Sequence, residues 1–309
     1  MNRIINFGRP LPERPFVSSA PDWQQSNPRW IGTALDKALA RTCGGWYVVD
    51  ARRAFGDKPR KYRIAGTDYV FWRADGKLHA APDACPHLGA SLATGCVQDG
   101  ELVCPWHGLR LGSSGQGAWK PLTVFDDGVL VWVQILKAGE TGTMQPAIVR
   151  RPEQYIDATV RMEATCRPED VIANRLDPWH GVHYHPHSFR RLNVVEQHDD
   201  EITVRVAFGV LGPFAVEVDA RFHCPDARTI AMTIVDGDGK GSVVETHATP
   251  IGPGRAAIVE STLVYSDRPQ FKAVLALGGV LRPLIERAAA RLWVEDIEYA
   301  ERRYALTHG

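Results

Sequence analysis

The sequence has no long hydrophobic run. Its longest uncharged apolar stretch, Ala273 to Leu281, is too short to span a bilayer. The opening "MNRIINFGRPLPERPF" lacks the apolar core of a signal peptide and meets Pro10 and Pro12 early. A cytoplasmic protein is expected. Neither sign of charge is in excess: 36 Lys and Arg balance 36 Asp and Glu. That leaves no bulk attraction for nucleic acid, and no arginine-rich tract supplies a local one. Cysteine is scarce, with six in 309 residues, too few for a disulfide scaffold. No dinucleotide fingerprint is present. "GSSGQG" at 112–117 lies just behind a Cys/His motif, and "GDGKG" at 237–241 reads as a hairpin turn. There is no internal repeat or low-complexity tract.

What remains is a globular chain, 44% hydrophobic and 23% charged, long enough for about two domains. Residues 1–28 are proline-rich and polar and read as an extended lead-in. A helix follows in "SNPRWIGTALDKALARTCGG", with Asn27 as N-cap, Pro28 in the first turn, and Gly44 and Gly45 at its end. The division expected is lead-in and helix 1–43, a small β domain 44–140, and a second domain 150–309, with a Gly/Thr/Pro linker near 136–152. "WYVVD", "KYRIA", "DYVFWR", "KLHAA" and "VLVWVQI" are the strands of the small domain, separated by turns such as "AGTD" and "ADGK". The second domain opens with a helical stretch, "RPEDVIANRLDPWHGVH". Five alternating segments between Glu201 and Tyr265 then predict an antiparallel sheet with one buried face. A helical region from Pro269 to Leu306 closes the chain, broken near Gly278–Gly279 and Pro283. Its run "AVLALGGVL" reads as a buried helix face, as an entrance lining, or as a surface for membrane contact.

The small domain carries "CPHLGASLATGCVQDGELVCPWHG", residues 85–108. Each arm offers one thiolate and one imidazole: Cys85 with His87, and Cys104 with His107. A structural zinc site more often pairs like with like, although zinc takes the same donor atoms. Two Cys on one iron and two His on the other suit a [2Fe-2S] cluster whose potential is raised by the neutral imidazoles. These two arms, at this spacing, resemble a Rieske cluster domain. Respiratory-chain members carry two further cysteines that form a disulfide. Ala90 and Trp106 stand at those places here, so the resemblance is to the oxygenase or ferredoxin type. Cys96 reads as a structural thiol.

A Rieske ferredoxin would end near residue 140, but this chain continues through "NRLDPWHGVHYHPHSF", residues 174–189. Its histidines are His180, His183, His185 and His187. Asn174, Asp177 and His180 lie three apart and share a face if the stretch is helical. The spacing N-x2-D-x2-H-x4-H resembles the mononuclear iron motif of the Rieske non-haem iron oxygenases, alpha-subunit type. On that resemblance the ligands are His180 and His185. Plain helix geometry favours His183 over His185 as the partner of His180, unless a helix end or π-bulge intervenes at Pro178 or Pro186. A carboxylate completes the facial triad. In "LWVEDIEYAERRYAL" the family pattern falls on Asp296, with Glu301 as the second acid and Glu295 as the rival ligand; Glu298 is also at hand. A solvated acidic face is the alternative reading.

The resemblance covers roughly residues 40–305 and implies the following. The fold is α+β, a small all-β Rieske domain plus a helix-grip (START-like) domain with an antiparallel sheet and C-terminal helices. The cofactors are a [2Fe-2S] cluster and mononuclear Fe(II), with O2 as co-substrate. Asp177 couples His107 of the partner subunit to His180, which implies a head-to-tail ring, usually a trimer. Asn174 lies near the iron. Electrons come from an external ferredoxin or NAD(P)H-dependent reductase. The substrate is an apolar small molecule that is hydroxylated or oxidatively demethylated. The length resembles the smaller oxygenase subunits, and "LDPWH", "ETHATP" and "ERRYAL" resemble members acting on large apolar substrates such as carotenoids. A Rieske electron carrier fused to a ligand-binding domain without a working iron is the competing reading, and a zinc-stabilised binding protein is a third.

Overall fold

The computed structural model describes residues 3–5, 11–211 and 214–308. A short strand, β1 (Arg3–Ile5), lies within the expected lead-in, of which residues 6–10 fall outside the described residues. Helices α1 (Asp22–Gln25) and α2 (Pro28–Leu39) follow. Asn27 caps α2, its Oδ1 accepting the Arg29 N–H at 2.9 Å. The helix stops at Leu39, before the glycine pair expected to end it. Arg41 leaves the helix to reach the Cys224 carbonyl and Asp200. Gly44 and Gly45, at φ 56° and 75°, instead steer the chain into the small domain.

That domain contains β2 (Trp46–Ala51), β3 (Arg60–Ile64), β4 (Thr67–Ala74), β5 (Lys77–Pro82) and β6 (Cys96–Gln98). It continues with β7 (Glu101–Val103), β8 (Arg110–Leu111), β9 (Thr123–Asp126) and β10 (Leu130–Gln134). They form three small sheets, ordered β2-β10-β9, β3-β4-β5 and β6-β7-β8. Ala65-Gly66, Asp75-Gly76 and Asp99-Gly100 close hairpins with both central residues at positive φ, the turn whose twist matches paired strands. Val70, Trp72, Leu102, Leu111 and Trp119 form the core into which Cys85 and Cys104 are packed.

The second domain comprises β11 (Ile156–Ala164), α3 (Pro168–Arg175), α4 (His180–Tyr184), β12 (Phe189–Gln197), β13 (Glu201–Leu211) and β14 (Phe214–Asp226). It ends with β15 (Thr229–Gly237), β16 (Val243–Gly252), β17 (Arg255–Val264), α5 (Phe271–Ala276) and α6 (Gly278–His308). The antiparallel sheet runs β11-β17-β16-β15-β14-β13-β12, and β1 adds to β14 in parallel. Two of its strands give no clear signal in the sequence, β11 and β12. They are the ends of that order, and strands there carry charge: Asp157, Arg161 and Glu163 on one, Arg190, Arg191 and Glu196 on the other.

Two helical expectations are corrected. The stretch after Arg167 is not one helix; it breaks between Arg175 and His180, around Pro178. The C-terminal helix does not break at Pro283, which sits inside α6. Proline there, near the helix start, forfeits one hydrogen bond to Gly279 and leaves the rest of the ladder intact. Leu277 separates α5 from α6, and Leu277 and Val280 are exposed, so the apolar run is not simply a buried face. Among the described residues no helix is long and apolar enough to cross a membrane.

The two domains share a core in which Trp46, Val48 and Trp132 pack with Val243, Val259 and Leu263. Arg151 clamps the junction: Nη1 pairs with Asp127 at 2.9 Å and Nε with Glu245 at 2.6 Å, all three side chains under 10% exposed. Burial would raise both acids, but the guanidinium outweighs it and holds them below their usual range. Their stabilisation is therefore complete above the unfolded carboxylate range, about pH 4, and is lost as pH falls through the lowered folded values. Arg151→Met strands two buried carboxylates. Urea unfolding at pH 7 is expected to show a loss of about 3–5 kcal/mol, shrinking toward acid pH.

Candidate metal centres

The two cluster arms are built alike. In the first, Gly89 N–H donates to the Cys85 carbonyl and Cys85 N–H to Ala90; in the second, Gly108 donates to Cys104 and Cys104 to Leu109, all at 2.8–3.0 Å. Gly89 and Gly108, at φ 78° and 72°, make both tight returns possible. The loops bring Cys85 and Cys104 together in the buried core, and set the His87 and His107 rings 4.8 Å apart at 73° on the exposed tip. Backbone N–H groups of His87 and Leu88 point at the Cys85 sulfur, and those of Trp106 and His107 at the Cys104 sulfur. Burial raises Cys104, but these donors and Cys85 outweigh it, and the thiol sits below its usual value. Two sulfurs held in a ring of N–H donors, opposite two imidazoles, fit a [2Fe-2S] cluster. Leu88 and Trp106 flank the histidines as exposed apolar side chains, Cys96 is exposed, and all six cysteines are free thiols. The "GSSGQG" loop carries the chain to Trp119, which packs beside Trp72 below the cluster arms.

The second centre lies between α3, α4 and α6. His180 begins α4. His185 follows its last turn, at φ −120° and ψ 50°, already off the helix. That helix end lets residues five apart face one point. His183, inside α4, turns outward and meets Asp22 at 3.0 Å. Asp296 arrives from α6, on the stripe that buries Ala289, Trp293 and Ala300. His180 Nε2 lies 3.0 Å and His185 Nε2 2.9 Å from Asp296 Oδ1, and the three ligand atoms fall within 4.8 Å of one another. Ligand atoms about 2.1 Å from one metal and at right angles are about 3 Å apart, which matches both imidazole–carboxylate distances, and the donor set of two imidazoles and a carboxylate suits a metal ion.

The far ring nitrogens are also fixed. His180 Nδ1 bonds the Asp177 carbonyl, and His185 Nδ1 meets Glu295 Oε2 at 2.5 Å. Both bonds leave Nε2 free to ligate, the usual outer-shell device. Glu295 thus sits on the far side of His185 from Asp296. Burial alone would raise Asp296, but the two histidines, with Arg175 beyond them, hold it well below the usual carboxylate range. Asn174 is fully buried and donates to Asp296 Oδ1 at 3.0 Å; its own Oδ1 has no partner among the described residues.

Among the described residues no hydrogen bond joins the Asp177 carboxylate to His180. The carboxylate accepts from Ser26 at 3.0 Å and from Tyr299 at 3.2 Å, and the Tyr299 ring lies 5.2 Å from that of His180. His187 is 3.9 Å from Glu295. Glu298 accepts from Tyr184, and Glu301 from the Thr165 N–H, so neither faces the centre. Sequence reasoning missed Ser26, Tyr299 and Arg175. Nothing local marks the first two. Arg175 looks like an ordinary cation at a helix C-terminus, yet it lines the cavity beside the histidines.

A family described as "Domain of unknown function (DUF5914)" matches residues 137–309, and "Rieske [2Fe-2S] domain" matches residues 45–127. The vanillate O-demethylase oxygenase subunit of Pseudomonas sp. (strain HR199 / DSM 7063) is 42% identical over 72 residues, 23% of this chain and 20% of that protein. The oxygenase component of 3-ketosteroid-9-alpha-monooxygenase from Rhodococcus rhodochrous is 28% identical over 193 residues, 52% of this chain and 46% of that protein. The chain thus spans less than half the length of either. Dicamba monooxygenase bound to dicamba superposes with a TM-score of 0.57 at 19% identity, over 85% of this chain and 96% of that one, which shows a common fold. With its cluster arms and its sheet-and-helix second half, the chain belongs to the DUF5914 family, joined to a Rieske [2Fe-2S] domain in the fold of the Rieske non-haem iron oxygenase alpha subunits.

Proposed function

We propose that this protein is a terminal oxygenase that hydroxylates or oxidatively demethylates an apolar organic substrate. The observation that carries this is the convergence of His180, His185 and Asp296 behind a complete pair of Rieske arms. Cys85, Cys104, His87 and His107 hold the cluster; His180, His185 and Asp296 hold Fe(II). When bound, these groups supply single electrons and the O2 activation that the side chains lack.

The chain's own residues do the rest. The Asp177 carbonyl and Glu295 fix the imidazole tautomers, and Asn174 orients Asp296. Phe189, Leu192, Val206 and Phe208 keep water from the iron and give the substrate an apolar wall. Asp177 is the link between subunits of a homotrimer: Ser26 and Tyr299 hold its carboxylate toward His107 of the partner subunit. An external ferredoxin or reductase is the electron source, and Leu88 and Trp106 offer an apolar docking tip. The working units are residues 44–140 and 150–309, in a cytoplasmic protein, with peripheral membrane contact through Leu277, Val280 and Leu284.

A single-turnover experiment tests the activity. Dithionite-reduced protein given 18O2 and a panel of apolar substrates is expected to yield a hydroxylated or demethylated product, the inserted oxygen carrying label. No labelled oxygen in any product, with both sites loaded, favours the electron-carrier reading instead.

A further inference from the structure

Arg175 is the sole Lys or Arg among the described residues lining the cavity beside His180, His185 and Asp296. Of the other polar side chains there, Asn174 donates to Asp296 while its Oδ1, an acceptor, has no partner among the described residues, and Asp177 accepts from Ser26 and Tyr299. Most of the remaining wall is apolar, contributed by Leu192, Val204, Val206, Phe208 and Leu292. Arg175 is 16% exposed, with its guanidinium 6.0 Å from the ring centres of both Phe222 and Trp293. It faces Glu260 at 3.8 Å, beyond hydrogen-bond reach. Glu260 is itself occupied, accepting from Thr246 at 3.0 Å. Burial pushes Glu260 up toward its neutral form against the pull of Arg175. The guanidinium is therefore a partly buried fork, flanked by two aromatic rings and held only by a long ion pair to Glu260, with donors to spare for a ligand.

We propose that Arg175 is the specificity-determining residue of this site and that it selects an apolar molecule bearing one carboxylate. The proposal rests on the oxygenase reading and narrows its substrate class. A carboxylate matches the guanidinium fork, and the apolar wall takes the body. The cavity is only about 30 Å³, room for little more than one water, so the body displaces flexible side chains such as Leu192 and Leu292 as it enters. The flanked guanidinium stays as the fixed anchor.

Binding tests this without turnover. Metal-loaded protein is titrated with 1-naphthoate and decanoate and with their methyl esters, by calorimetry. Wild type is expected to bind at least one acid about tenfold more tightly than its ester. Arg175→Gln brings the two within about twofold, and Arg175→Lys keeps part of the preference. If Arg175→Gln does not fold, Glu260→Gln decides: removal of the facing carboxylate tightens acid binding several-fold and leaves the ester unchanged. Equal binding of acid and ester, no acid binding at all, an acid preference that survives Arg175→Gln, or no gain in Glu260→Gln overturns the proposal. An iron count on the same samples keeps the two readings apart. Loss of the mononuclear iron would sink the oxygenase reading, while the acid-to-ester ratio still scores Arg175.

Discussion

Asp177→Asn is expected to keep every metal atom and lose nearly all turnover. The side chain contributes no atom to either centre. Its carbonyl, which asparagine retains, is what binds His180 Nδ1. Its carboxylate accepts from two hydroxyls, Ser26 and Tyr299, and both can reverse to accept from an amide. The substitution is nearly isosteric, so fold and metal content survive. What disappears is a buried negative charge, 7% exposed, the one proposed to link imidazoles across a subunit contact. Replacement of a residue that supports metal ligands costs about 10–100-fold, and the proposed bridging role predicts the upper end. The check is iron, labile sulfide and the visible spectrum beside steady-state turnover. Unchanged turnover would remove the bridging role and leave Asp177 a brace for α1 and α6.

The second large effect separates two adjacent acids. Asp296→Ala is expected to release the mononuclear iron outright, since the triad loses its one anionic ligand and the atom on which both Nε2 groups converge. Glu295→Ala frees only the far nitrogen of His185. Iron should stay, bound about 10–100-fold more weakly. Equilibrium dialysis with Fe(II) reads both. The reverse result, iron lost on Glu295→Ala and kept on Asp296→Ala, would move the ligand by one residue.

Why the sequence leaves those two open is a matter of helix phase. Adjacent acids on a helix differ by about 100° in direction, and "VEDIE" alone does not say which direction is inward. The apolar stripe of α6 does. Ala289, Trp293 and Ala300 stand four, three and four apart with Asp296 between them, so Asp296 replaces a core residue. The same local-versus-global divide explains His185. Its spacing from His180 conflicts with a continuous helix, and the resolution at a helix end depends on where α4 stops. The cluster arms are the most legible part, because all four ligands lie within 24 residues and each arm closes on its own glycine. Ser26, Tyr299 and Glu260 are legible nowhere in the sequence. They reach their partners from segments over a hundred residues away or from a strand interior, which only the folded sheet and helices bring together.

One chain is expected to hold both a cluster and a separate iron. An iron and acid-labile sulfide count on anaerobically purified, Fe(II)-reconstituted protein tests it, beside a His180→Ala/His185→Ala variant. About three irons and two sulfides per chain in the wild type, falling to about two irons with sulfide unchanged in the variant, is the result predicted. About two irons in both would contradict it and leave the second domain a binding module attached to an electron carrier.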